Sequence, residues 1–425
     1  MSDGSKAVAE AMDAFHLGDA VRLRDVLSRH PDVKAQLNEP IGPFDAPPIV
    51  HVKSRQMLDV LLEAGANIDA RSRWWAGGFG VLDYAPLDVA AYAIDRGATV
   101  TIHAAARLGL IDTVRAFITG DSSLVHARGG DGQTPLHMAA TVDIADALID
   151  AGADPDARDV DHESTPAQYM VSERQDVARH LVARGCRTDL LMVVALGDDE
   201  RARRRLDADA ACIGMRVDEE WFPKINRRAG GTIYNWTLGF HASAHEVAKR
   251  FGHDAVLDLL FERTPPALKV LEACWLADEQ LTRTFRAAAP SFPAGLSDRD
   301  RQMTATAARN NRTGSVRLML DAGLPVDARG QHHATPLHWA AFHGNVDMVR
   351  EILRFEPPLE ATDRDFNGTP LGWAIHGSQH GWYRETGDYA QTVELLLRAG
   401  ASRPPAAAGS AAVRDVLNRA GEQDR

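Results

Sequence analysis

Hydrophobic positions in this chain recur with a helical period over short stretches. In "TPLHWAAFHGN", residues 335–345, Leu337, Ala340 and Ala341 lie three and four residues apart. A helix turns about 100° per residue, so these three share one stripe. Trp339, Phe342 and His343 then fall on the opposite side. The stretch predicts a short helix with an aliphatic face and an aromatic, histidine-bearing face. Apolar runs that end on glycine follow the same design as second helices: "LLEAGANIDAR" (61–71), "LIDAGADPDAR" (148–158), "LMLDAGLPVDAR" (318–329) and "LLLRAGASRP" (395–404). Gly at such an end adopts the left-handed conformation that terminates a helix.

The pattern is repetitive. "TPLH" occurs at 134–137 and at 335–338; "TPAQ" follows the first copy by 31 residues and "TPLG" follows the second by 34. Pro at the first helical turn costs no hydrogen bond. A single helix pair cannot bury its own apolar face, so neighbouring pairs must stack into a shared core.

These residues resemble the ankyrin repeat family, whose unit reads close to T-P-L-H-x-A-A-x-x-G-H-x-x-I-V-x-x-L-L-x-x-G-A-D. The match is strong at 134–158 and 335–356, recognisable at 47–71, 100–118 and 165–185, and weaker at 188–206, 243–262 and 303–322. The resemblance implies an all-α, ankyrin-type α-solenoid of about twelve helix pairs with short β-hairpin fingers. It also implies one continuous array: N-terminal repeats over 1–206, an aromatic and Gly-rich inserted loop over 207–242, and C-terminal repeats with a cap over 243–425.

Three stretches are too long for plain connections: "SRWWAGGFGVLDYA" (72–85), the segment containing "WFPKINRRAGGTIYNWTLGFH" (221–241), and "GSQHGWYRETGDYA" (377–390). Long loops in a tight repeat are more often functional than neutral. Their candidate residues are Trp74, Trp75, Trp221, Tyr234, Trp236, His241, His380, Trp382 and Tyr383.

The resemblance also assigns the outer side of each first helix to a concave groove. The offsets of Trp339, Phe342 and His343, read in the other units, give His51, Tyr84, Arg107, Tyr169, Glu272, Trp275, Arg309, Trp373 and His376. A plain solvated face would be mostly Lys, Glu, Gln and Ser. Contiguous aromatics in water are unfavourable and mark a contact surface. The alternative is that the Trp-rich loops fold back over these residues and make an enclosed cleft.

Composition narrows the functions. The 425 residues carry a net charge of −12, which argues against a nucleic-acid partner. No run of 18 apolar residues occurs, so no membrane span is expected. The N-terminus lacks the layout of a signal peptide. Cys186, Cys212 and Cys274 are too few and too scattered for a disulfide framework or a zinc site. The cytoplasm is the expected location. Lys supplies only 6 of 47 basic residues, a bias that suggests a GC-rich bacterial genome.

Catalytic and metal motifs are weak. "HEVAK" (245–249) has Lys249 where a zinc-protease helix needs its second His. "GGFG" (77–80) lacks the third Gly and the preceding strand of a dinucleotide loop. His332, His333 and His338 in "GQHHATPLH" belong to a turn and a helix interface, which does not assure convergence on a metal. No metal ion or cofactor is expected, and no catalytic residue can be named. The expected function is a binding module holding a protein or peptide partner in an aromatic, His-lined groove. The alternative is a small-molecule or acid–base site in a cleft closed by the loops, with His51, His343 or His376 near Glu272 or Asp83.

Overall fold

The computed structural model describes residues 3–423. Every regular element among them is helical, and the elements alternate as antiparallel pairs of the ankyrin type. Two compact units are present. One comprises the residues up to Asp198 together with Arg216–Ala242; the other comprises Asp199–Met215 together with the residues from Ser243 onward. The segment 207–242 is therefore shared between them, and it contains the short helix Tyr234–Thr237.

Local chemistry explains the pairs. Thr335 caps the helix Pro336–His343, with Pro336 in the first turn. The Thr335 N–H donates to Nδ1 of His338, so Nε2 carries the proton and donates 3.0 Å to the carbonyl of Gly368 in the next repeat. His137 does the same between Thr134 and the carbonyl of Ser164. His103, in the same slot, bonds the carbonyls of Ala127 and Gln133. These histidines staple one repeat to the next. Burial holds His137 down at about 3 and His338 at about 4, so both are neutral near pH 7. The second helices end as expected, with Gly152 and Gly323 in the left-handed region.

The fingers differ from expectation. Among the described residues none forms a strand. Each finger is a turn closed by one backbone bond, from Gly129 N to Gln133 O, Asp159 N to Ser164 O, Gly330 N to Ala334 O, and Asp363 N to Gly368 O. One bond per turn is too little to build a ladder. The third inserted segment also starts later than expected, because the helix Pro370–His380 runs through Gly377. Gly377 is needed there: a Cβ on it would lie 2.5 Å from the carbonyl oxygen of Phe342, so this helix can press against Pro336–His343. No helix among the described residues is long and apolar enough to cross a membrane.

Candidate functional site

In the second unit the close approach of Pro336–His343 and Pro370–His380 brings Trp339 edge-on to Trp373, with ring centres 5.0 Å apart. The loop after His380 then folds back. It stacks Trp382 on Trp339 at 5.9 Å and sets Tyr383 edge-on to His343 at 5.1 Å. The Tyr389 hydroxyl anchors the returning chain by donating 2.9 Å to the carbonyl of Phe342. A cavity of about 430 Å³ results, walled by Trp339, Phe342, Phe366, Trp373 and Trp382, with His332 and His376 among its lining. Its outer rings remain in water: Phe366 is 71% exposed and Trp382 61%.

Polar groups hold these rings. Trp373 Nε1 donates 2.9 Å to Asp363 Oδ2. Burial pushes Asp363 up, but donors from Phe366, Trp373, Gly368 and Asp365 outweigh it and keep it below the usual carboxylate range. Arg309 lies 5.7 Å from the ring centres of both Trp339 and Trp382. His332 Nδ1 meets Asp365 Oδ2 at 2.6 Å.

Several residues expected to face outward do not. Trp339 is only 3% exposed, because Trp373 and Trp382 cover it. His343 is buried, donates from Nε2 to the carbonyl of Arg309, and is held down at about 4 by burial. It is neutral near pH 7 and ties two repeats together rather than facing a groove. Trp373 is buried too, packed against His338, Trp339 and Phe342. Glu272 and Trp275 lie inside the stack. Glu272 accepts from the Ser243 hydroxyl at 2.6 Å, and Trp275 Nε1 donates to Glu246 beneath the Arg312 guanidinium. Tyr234 is fully buried, with its hydroxyl on Asp189. The indole N–H of Trp221 is buried. Arg107 is a clip, donating to the carbonyls of Leu82 and Ala85. A helical wheel gives each side chain's angle to its own repeat but not what the next repeat or a returning loop lays over it.

The remaining candidates form other groups. In the first unit His51, Trp74 and Tyr84 gather around Phe44, with centroid distances of 5.1–6.2 Å. Trp75 lies under the Arg228 guanidinium. Trp236 packs on His162 at 4.7 Å. Tyr169 donates to Asp159. The His241 amide pairs with the carbonyl of Val217. His380 lies 4.8 Å from His376, beside the aromatic cavity. These groups are not one site.

The family profile described as ankyrin repeats, in three copies, matches residues 102–191 and 303–403. The chain carries ankyrin repeats. It is similar to the Palmitoyltransferase Hip14 of Drosophila melanogaster, 31% identical over 86 residues, which are 20% of this chain and 12% of that protein. It is also similar to the E3 ubiquitin-protein ligase XB3 of Oryza sativa subsp. japonica, 34% identical over 93 residues, which are 22% of this chain and 21% of that protein. The chain thus spans about a fifth or less of the length of these relatives.

The two matched stretches contain equivalent ankyrin fingers, and comparing them exposes residues that motif reading passed over. Arg128 and Arg329 each clip a finger, donating respectively to Gly132 and Arg158, and to His333 and Thr362. Asp159 and Asp363 each organise the following finger through the amides of Ser164 and Gly368. Asp131 and His332 stand three residues before the Thr of their Thr-Pro pair, both with positive φ. Asp161 and His162 correspond to Asp365 and Phe366. In the second unit these positions supply His332 and Phe366 to the aromatic cavity. In the first unit they bring Asp131, Asp161 and His162 together, with one potential ligand atom from each lying within 4.8 Å of the others. Burial and the neighbouring carboxylates of Asp161 and Asp159 push Asp131 up to about 6, against the opposing pull of His162. About thirty residues separate the two fingers, so no local motif betrays the group.

Proposed function

We propose that this chain is an ankyrin-repeat binding module whose aromatic cavity receives an apolar or aromatic side chain of a protein or peptide partner. Ankyrin repeats imply a protein-interaction module, and the aromatic cavity supports this finer reading. The observation that carries the reading is the pair of exposed rings, Phe366 and Trp382, at the mouth of a cavity whose inner wall is the buried Trp339 and Trp373. Exposed aromatics around a recess have the character of interface anchors. Trp339, Phe342, Trp373, His376 and Trp382 are the groove residues this reading retains. A location in the cytoplasm belongs to the same proposal.

A small-molecule occupant is the second reading. The cavity volume falls in the ordinary range for ligand pockets, roughly 300–1,000 Å³. The test is to purify the native complex on the full chain and on Trp382→Ala with Phe366→Ala. Loss of a bound polypeptide with the fold retained supports the first reading. A polypeptide held equally by both forms contradicts it. Saturable binding of an apolar small molecule, lost in the variant while no polypeptide co-purifies, supports the second.

A further inference from the structure

The first unit's finger cluster does work that the binding reading does not use. His162 Nδ1 lies 3.0 Å from the carbonyl oxygen of Gly231, which can only accept, so Nδ1 carries the proton. In the neutral ring Nε2 is then a lone pair. It faces Asp161 Oδ2 at 3.7 Å and Asp131 Oδ2 at 3.9 Å. Neither distance is a hydrogen bond. Each acid is held from its other oxygen: Trp74 Nε1 donates 3.0 Å to Asp131 Oδ1, and Gly230 N donates 3.2 Å to Asp161 Oδ1. Among the described residues the hydrogen bond to the Asp161 carboxylate falls on Oδ1, and the side chain is only 9% exposed. Three electron-rich atoms are thus turned toward one another, each fixed from behind.

We infer that Asp131, Asp161 and His162 bind a divalent transition-metal ion of the Mn²⁺-to-Zn²⁺ class. The donor set is two carboxylate oxygens and one imidazole nitrogen, which suits these ions better than Ca²⁺ or Mg²⁺. The two carboxylates neutralise a dication. Bonds of about 2.0–2.2 Å set tetrahedral ligand atoms roughly 3.3–3.6 Å apart; the two imidazole–carboxylate distances must close by a few tenths of an ångström, and the carboxylate pair must draw in from within 4.8 Å. Anchoring each ligand through its second polar atom is the arrangement that orients metal ligands in general. Both inserted segments of this unit serve it: the first supplies Trp74, the second supplies Gly230 and Gly231. A Cβ on Gly230 would lie 3.3 Å from Asp161 Oδ2, so the loop passes directly over Asp161 and His162. Asp159 is spent elsewhere, accepting from Ser164, His162 and Tyr169, and adds negative potential without being a ligand.

The second unit supplies an internal contrast. There the equivalent positions hold His332 and Asp365, which satisfy each other directly at 2.6 Å, and Phe366, which offers no ligand atom. That finger needs no ion.

The test is calorimetric titration of the full, chelator-stripped chain with Zn²⁺ and with Mn²⁺ at pH 7. His162→Phe installs the side chain that the equivalent finger already carries, so it preserves the fold; Asp161→Asn keeps the shape of its residue. The expected result is one tight equivalent that disappears in both variants and persists in Asp365→Asn. Trp74→Phe should weaken it about tenfold to a hundredfold, as loss of an orienting partner does. No tight equivalent in the parent chain, or one that survives Asp161→Asn with His162→Phe, would overturn the assignment.

Discussion

Two fingers with the same backbone serve different ends. In both units an Arg clips the first finger, an Asp organises the second, and a staple His reaches across. In both, the aromatic residue four places after the Thr donates to that Asp: Tyr169 to Asp159, Trp373 to Asp363. The difference lies in three side chains. Asp131, Asp161 and His162 make a polar knot of two carboxylates and an imidazole; His332, Asp365 and Phe366 make a hydrogen-bonded pair beside an aromatic recess. The framework specifies where these positions meet, and the residues placed there specify the chemistry.

The comparison can be broken most forcefully at the recess. Trp339 is buried and Trp382 is exposed, so they should part company. Trp339→Ala should cost about 3–5 kcal/mol of stability, as for a buried aromatic, while Trp382→Ala, which only uncovers one side of Trp339, should cost about 1 kcal/mol. Chemical denaturation of both variants measures this. Equal losses would mean that the loop, rather than the helices, builds the recess.

A pH series sharpens the role of the buried histidines. His338 and His343 are held at about 4 in the folded chain, below the ordinary value of about 6.5. Their folded-state pKa is depressed, so the unfolded chain takes up protons first as pH falls. Stability should be full above about 6.5 and should drop as pH falls toward 4, by on the order of 1–3 kcal/mol per histidine. Thermal unfolding from pH 7.5 to 4.5 checks this, and His343→Gln should flatten the curve.

A smaller effect comes from remaking one finger as the other. His332→Asp with Phe366→His should destabilise the chelator-treated chain by about 1 kcal/mol, because a partly exposed hydrogen-bonded pair is replaced by facing carboxylates. Added Zn²⁺ should restore the melting temperature. Restoration by Mg²⁺ alone would argue for general charge screening instead.

The ankyrin scaffold was legible because its signals are local. Thr-Pro caps, staple histidines and terminal glycines act within a few residues of themselves. The candidate sites were legible only in part. Trp339, Phe342, Trp373 and His376, taken from their offsets, and Trp382, taken from its loop, line one cavity. Trp339 and Trp373 are buried where the offsets pointed them outward, because they pack on each other and Trp382 lies across Trp339 from a loop whose path no periodicity encodes. Glu272 and Trp275 were misjudged because polar partners on neighbouring helices, Ser243, Glu246 and Arg312, absorb them. Asp131, Asp161 and His162 were passed over because their convergence is a property of stacked fingers, not of spacing along the chain.

The central claim concerns what fills the aromatic recess. Affinity selection of a random peptide library on the full chain tests it most directly. The account predicts enriched peptides that share an apolar or aromatic anchor. Their affinity should fall at least about tenfold on Phe366→Ala with Trp382→Ala, a loss of roughly 1.4 kcal/mol, and should be unmoved by Asp161→Asn. Peptides that bind the recess variant as tightly as the parent chain would contradict it.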